Sequence, residues 1–181
     1  MPTMTESAEG GFTLIELMVV LLIMGILMAI AIPTFLGVTG NARDKGAQSD
    51  LTNATLAAVA YYTNHDNYTN LAASELAGIN PSLRYGAGDT SAKASVSEVG
   101  FWSTKDSTAL VSWSAAGICW YATDNEGSNP AFGAPTGHSY AMTEESSANC
   151  AKPDFPYVAG RPANYAMGTW YSEWPAAPAG K

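Results

Sequence analysis

Gly10-Gly11-Phe12-Thr13-Leu14-Ile15-Glu16-Leu17 opens an apolar run that continues to Ile32 and is closed by Pro33. Between Phe12 and Ile32 the one ionisable side chain is Glu16. A helix that crosses a bilayer core needs about 20 apolar residues, and this run is long enough. It is apolar all round, with no wet face, which suits lipid or a fully buried bundle. Leu, Met and Ala favour helix, and the single Gly25 is tolerable there. A carboxylate in such a segment costs about 2.5–3.5 kcal/mol near the bilayer centre and less near an end. Glu16 sits one turn in, and it needs a cationic partner. The nearest would be a free α-amino group, if the mature chain began at Phe12.

Two plain readings compete. An ordinary secretory signal ends in an A-x-A site, and Ala29-Ile30-Ala31 fits that pattern, giving a mature start at Ile32. However, Met1 to Gly11 carries Glu6 and Glu9 and no Lys or Arg, and Glu16 interrupts the apolar core. A simple membrane anchor has the same apolar length but gives Glu16 no purpose.

Gly11-Phe12-Thr13-Leu14-Ile15-Glu16 resembles the processing site of type IV prepilins. The resemblance covers Met1 to about Pro33, and more loosely extends to Tyr62. It implies that a prepilin peptidase cuts after Gly11 and methylates the new amino group of Phe12. It implies further that Glu16 is the assembly carboxylate, pairing with the Phe12 amine of a neighbouring subunit. Gly25 and Pro33 then fall where such chains have a small residue and a helix kink, and Gly37 adds flexibility just beyond, so the kink is expected at Pro33 and Gly37. The implied partners are other copies of the chain in a helical filament, the peptidase, an assembly ATPase, a platform protein and the cytoplasmic membrane. The implied destination is the cell surface. A pseudopilin of a type II secretion system is the alternative with the same N-terminal logic.

The expected organisation is a leader over 1–11, a membrane or assembly helix over 12–33, its amphipathic continuation over 34–64, and a globular head over 65–181. Pro33 removes one helix hydrogen bond, so a local loosening is expected and not a stop. Beyond it, Leu51, Ala54, Thr55, Ala58, Tyr61 and Tyr62 recur at helical spacing. Asp44, Lys45, Gln48, Asp50 and Asn53 are assigned to the polar face. Asn64 to Asn67 is turn-rich and ends the helix. A short helix is expected at Leu71–Leu76 and a linker at Gly86–Ala94.

Strand signals cluster at Val96–Trp102, Ala109–Trp113 and Ile118–Ala122, with Ala115-Ala116-Gly117 as a hairpin connection. The expected fold is α+β, a long helix packed on a small antiparallel sheet of three or four strands. After Asp124, Gly, Pro, Ser and Asn dominate, and a loop-rich region is expected to the end. Cys119 and Cys150 both follow the membrane run and read as a disulfide in a translocated domain.

The formal charge of −8, made two units less negative by removal of the leader, disfavours non-specific nucleic-acid binding. No nucleic-acid site, cofactor or metal is expected: there is no phosphate-binding glycine loop, HExxH or CxxC, and His65 and His138 are isolated. Asp124-Asn125-Glu126-Gly127 lacks the full spacing of a calcium loop and reads as an acidic turn. Tyr61, Tyr62 and Tyr68 read as packing residues. The expectation is a structural, non-enzymatic subunit.

Overall fold

The structure is a computed structural model that describes residues 11–87, 98–128, 131–144, 150–159 and 165–176. The leader up to Gly10, most of the Gly86–Ala94 linker and Val96 lie outside the described residues. The chain divides into two compact units, Met1–Val38 and Thr39–Lys181.

Helix α1 spans Leu14–His65. From Leu14 to Phe35 its large apolar side chains are exposed, Leu14 at 75% and Phe35 at 68%, as is Phe12 just ahead of it at 86%. By length and composition it is the one described helix able to cross a membrane. The helix continues through Pro33 and Gly37. Pro33 has no N–H to offer the preceding turn, and Thr34 Oγ1 donates to Ile30 O at 3.0 Å. Side-chain bonding of this kind to the fourth residue back commonly accompanies helix bending.

In the second unit the predicted apolar face holds. Leu51, Ala54, Ala58 and Tyr61 are buried, and Thr55 is buried with its hydroxyl bonded to Leu51 O at 2.8 Å. Asp44 and Gln48 are corrections: both are buried and not on a wet face. Each finds a polar partner, which is what permits burial. Trp120 Nε1 donates to Asp44 Oδ1 at 3.2 Å, and Lys45 Nζ donates to Gln48 Oε1 at 2.9 Å. The helix ends at His65 with Asp66 in the left-handed region at φ 60°, a common stop. Helix α2 (Ala73–Ile79) lies slightly later than the expected Leu71–Leu76.

The sheet has five strands in the order β1 (Arg84–Ala87), β2 (Glu98–Ser103), β3 (Ser107–Ser114), β4 (Ile118–Asn125) and β5 (Gly137–Glu144). β2 to β5 form an antiparallel meander, whereas β1 runs parallel to β2. β1 and β5 lie where loop was expected, so the sheet is larger than predicted. Ala115-Ala116-Gly117 closes the β3–β4 hairpin, with Gly117 at φ 86°. That is the three-residue connection with glycine in the left-handed position.

β4 is buried along its whole length because both faces of the sheet are covered. Ile118, Trp120 and Ala122 face the α1 cluster with Leu51, Ala54, Ala58, Leu110 and Met142. Cys119 and Tyr121 face a second cluster with Val111, Ala141, Cys150 and Trp170. The C-terminal aromatics build both. Tyr140 and Tyr171 exchange backbone hydrogen bonds at 2.8 Å, so residues around 171 cap the free edge of β5. Trp170 enters the second cluster and its Nε1 donates to Phe132 O at 2.7 Å. Trp174 packs against Tyr140 and Trp120 on the other face, with ring centroids 4.3 and 6.1 Å apart. Beneath this layer a Cβ on Gly133 would sit 2.0 Å from the Phe155 carbonyl oxygen, so only glycine fits there.

Candidate functional site

The predicted processing and assembly residues sit together at the start of α1. Gly11 and Phe12 are exposed and precede the helix. Thr13 is its N-cap. Thr13 N–H donates to Glu16 Oε2 at 2.9 Å, and Thr13 Oγ1 donates to the same oxygen at 2.7 Å. In return Glu16 N–H donates to Thr13 Oγ1 at 3.3 Å. This is a capping box, in which residues three apart satisfy each other's open backbone donors. The T-x-x-E pattern was visible in the sequence, yet only Glu16 was singled out there.

Glu16 is the one ionisable side chain between Phe12 and Ala42. Its negative charge sits in the first turn, where the aligned peptide dipoles favour it. Pro33 and Gly37 are one turn apart and far along the helix from this end. The large apolar side chains from Leu17 to Phe35 are exposed.

Cys119 and Cys150 form a disulfide with Cα atoms 5.7 Å apart. Both are buried, and the bond ties β4 to the segment that follows β5.

A second polar constellation lies between the end of α1 and the sheet. Tyr68 is fully buried, and its hydroxyl donates to Asp124 Oδ2. Burial, then the Asp124 hydrogen bond and charge, push the Tyr68 hydroxyl well above its usual titration range. His138, paired across the strands with Asp124, places Nε2 3.3 Å from Oδ1. That contact is close enough for electrostatic pairing but is out of hydrogen-bond alignment. Tyr68 N–H also donates to Lys105 O at 2.7 Å. The arrangement locks the loop after α1 onto the β2–β3 turn and β4. Sequence spacing gave no hint of it, because 56 residues separate Tyr68 from Asp124.

Asn125 is likewise committed: its Oδ1 accepts from Ser107 Oγ at 2.6 Å and Gly127 N–H at 3.1 Å. Among the described residues no group of three or more His, Cys, Asp or Glu is arranged to hold a metal ion. Tyr61 and Tyr68 are buried in the α1 cluster, and Tyr62 packs against it.

Comparison with known proteins agrees with the geometry at the N-terminus. Residues 7–32 match the family described as the prokaryotic N-terminal methylation motif, the leader motif of type IV pilins. The chain is 40% identical over 62 residues to the type IV major pilin protein PilA of Myxococcus xanthus (strain DK1622). The aligned stretch is 34% of this chain and 28% of that protein, so the chain matches just over a quarter of the relative's length. No solved structure matches.

Proposed function

We propose that this chain is a type IV pilin: a structural subunit, stored in the membrane by its N-terminal helix and polymerised through that helix into an extracellular filament. The observation that carries the reading is the N-terminal methylation motif, which runs into an apolar helical stretch whose large side chains are exposed. That stretch needs lipid or other helices around it, and a filament core supplies the second.

In this reading a prepilin peptidase cuts between Gly11 and Phe12 and methylates Phe12. Glu16 then pairs with the Phe12 amine of a second copy in a low-dielectric bundle. Pro33 and Gly37 let the helix bend as it packs. The Cys119–Cys150 bond holds the loop-rich C-terminal region on the sheet outside the cell. An assembly ATPase and platform protein would drive extraction from the membrane. The similarity to a major pilin favours a pilus over a secretion pseudopilus.

Breaking a buried charge pair by deleting one partner costs about 3–5 kcal/mol. Glu16→Ala is therefore expected to abolish filaments, measured by shearing and electron microscopy, while the chain still accumulates in the membrane. Abundant normal filaments from that variant would overturn the assembly role.

A further inference from the structure

We infer that Thr13 is a positioning residue for Glu16, holding the carboxylate by one oxygen so that the other is presented to a second copy of the chain. The inference rests on the assembly role proposed for Glu16. Both donors from Thr13 converge on Oε2, at 2.9 and 2.7 Å, and neither uses Oε1. An ionised carboxylate has about four acceptor positions, so two bonds at Oε2 leave Oε1 able to accept more. An ammonium is a compact charge that does not need both oxygens, unlike a planar guanidinium. The amine of a neighbouring chain can thus bind at Oε1 with the Thr13 contacts intact.

The contact matters before assembly and during it. In lipid an unsatisfied polar group is costly, and Thr13 supplies two donors from within the same turn. A free glutamate has several rotamers, and ordering them when the partner arrives weakens the association. The third bond, from Glu16 N–H to Thr13 Oγ1 at 3.3 Å, closes the ring and fixes both side chains. The hydroxyl therefore donates to the carboxylate and accepts from the backbone at once. Serine can do both, and valine, of the same shape as threonine, can do neither.

Filament yield per processed full-length chain tests this, with the mature N-terminus confirmed by mass so that a processing failure is not mistaken for an assembly failure. Thr13→Ser should assemble much as the parent does. Thr13→Val should lose filaments about fivefold, the equivalent of one lost cap. Thr13→Asp separates positioning from plain capping: aspartate caps helices as well as threonine, but its charge repels Glu16. It should assemble no better than Thr13→Val. In detergent micelles the Thr13 amide of the unassembled chain should exchange more slowly than in Glu16→Ala. Parental filament yield from Thr13→Val, or from Thr13→Asp, would overturn the positioning role even if Glu16→Ala abolishes filaments. Normal filaments from Glu16→Ala would instead overturn the assembly reading beneath it.

Discussion

Replacing Tyr68 by phenylalanine removes one oxygen from the interior and leaves the ring packing against Tyr61 and Tyr62 in place. The oxygen lost is the donor to Asp124, whose side chain is 1% exposed. Water cannot replace it without opening the junction between the end of α1 and the sheet. His138 remains 3.3 Å away but is not aligned to donate a hydrogen bond to Oδ1. A hydrogen bond to a charged group contributes about 1.5–3 kcal/mol, and stranding the acceptor puts the cost at the upper end. We expect Tyr68→Phe to destabilise by about 2–3 kcal/mol. At about 2–4 °C per kcal/mol for a chain of this size, Tm falls by about 4–12 °C. The assay is thermal unfolding of the full chain in detergent micelles, followed by near-ultraviolet circular dichroism. Asp124→Asn removes the charge, so the double variant should lose less than the sum of the two single variants. A Tm change below about 1 °C for Tyr68→Phe, or strict additivity in the cycle, would refute the claim that this contact clamps the helix end.

Three further outcomes follow from the second unit. Cys119→Ser with Cys150→Ser removes a cross-link between residues 31 apart and should cost about 3–4 kcal/mol, visible as a lower Tm that reducing agent no longer changes. Asp50 is held above the usual carboxylate range by burial. Its contribution is full below the unfolded-state pKa and is lost as pH rises through the folded value, so Asp50→Asn should raise Tm at pH 7 and leave it unchanged at pH 3; equal shifts at both pH values would contradict this. Burial and the charge of Asp50 push the Tyr85 hydroxyl up to about 12, and that oxygen is buried with no hydrogen-bond partner among the described residues. Stability should therefore fall as pH rises from about 10 through 12. Tyr85→Phe should be neutral to stabilising at pH 7 and should blunt the alkaline loss; a destabilisation above about 1 kcal/mol at pH 7 would count against it.

The long helix was legible because apolar length and 3.6-residue spacing are local signals, and Leu51, Ala54, Ala58 and Tyr61 are buried as their spacing requires. The burial of Asp44 and Gln48 was not legible, because the group that satisfies Asp44 is the indole of Trp120, 76 residues away. β5 was hidden for a related reason. Its sequence, Gly-His-Ser-Tyr-Ala-Met-Thr-Glu, is short of β-branched and aromatic residues. It is held by pairing to β4 and by the Tyr140–Tyr171 contact at its free edge. The C-terminal aromatics carry no period because they do not belong to one element. Trp170 and Trp174 serve opposite faces of the sheet from one irregular segment. At the N-terminus the reverse holds: the constellation is local, within Gly11 to Glu16, and so it could be read directly. What the sequence reading passed over there was Thr13, whose part becomes plain from the three hydrogen bonds it shares with Glu16.

The central claim is that the mature chain begins at Phe12, because only then does an amine exist for Glu16. Intact mass and N-terminal fragmentation of the membrane-extracted or filament-borne chain measure this directly. The account predicts loss of Met1 through Gly11 and one methyl group on the Phe12 nitrogen. A mature chain that starts at Ile32, or one that keeps the leader, would contradict it.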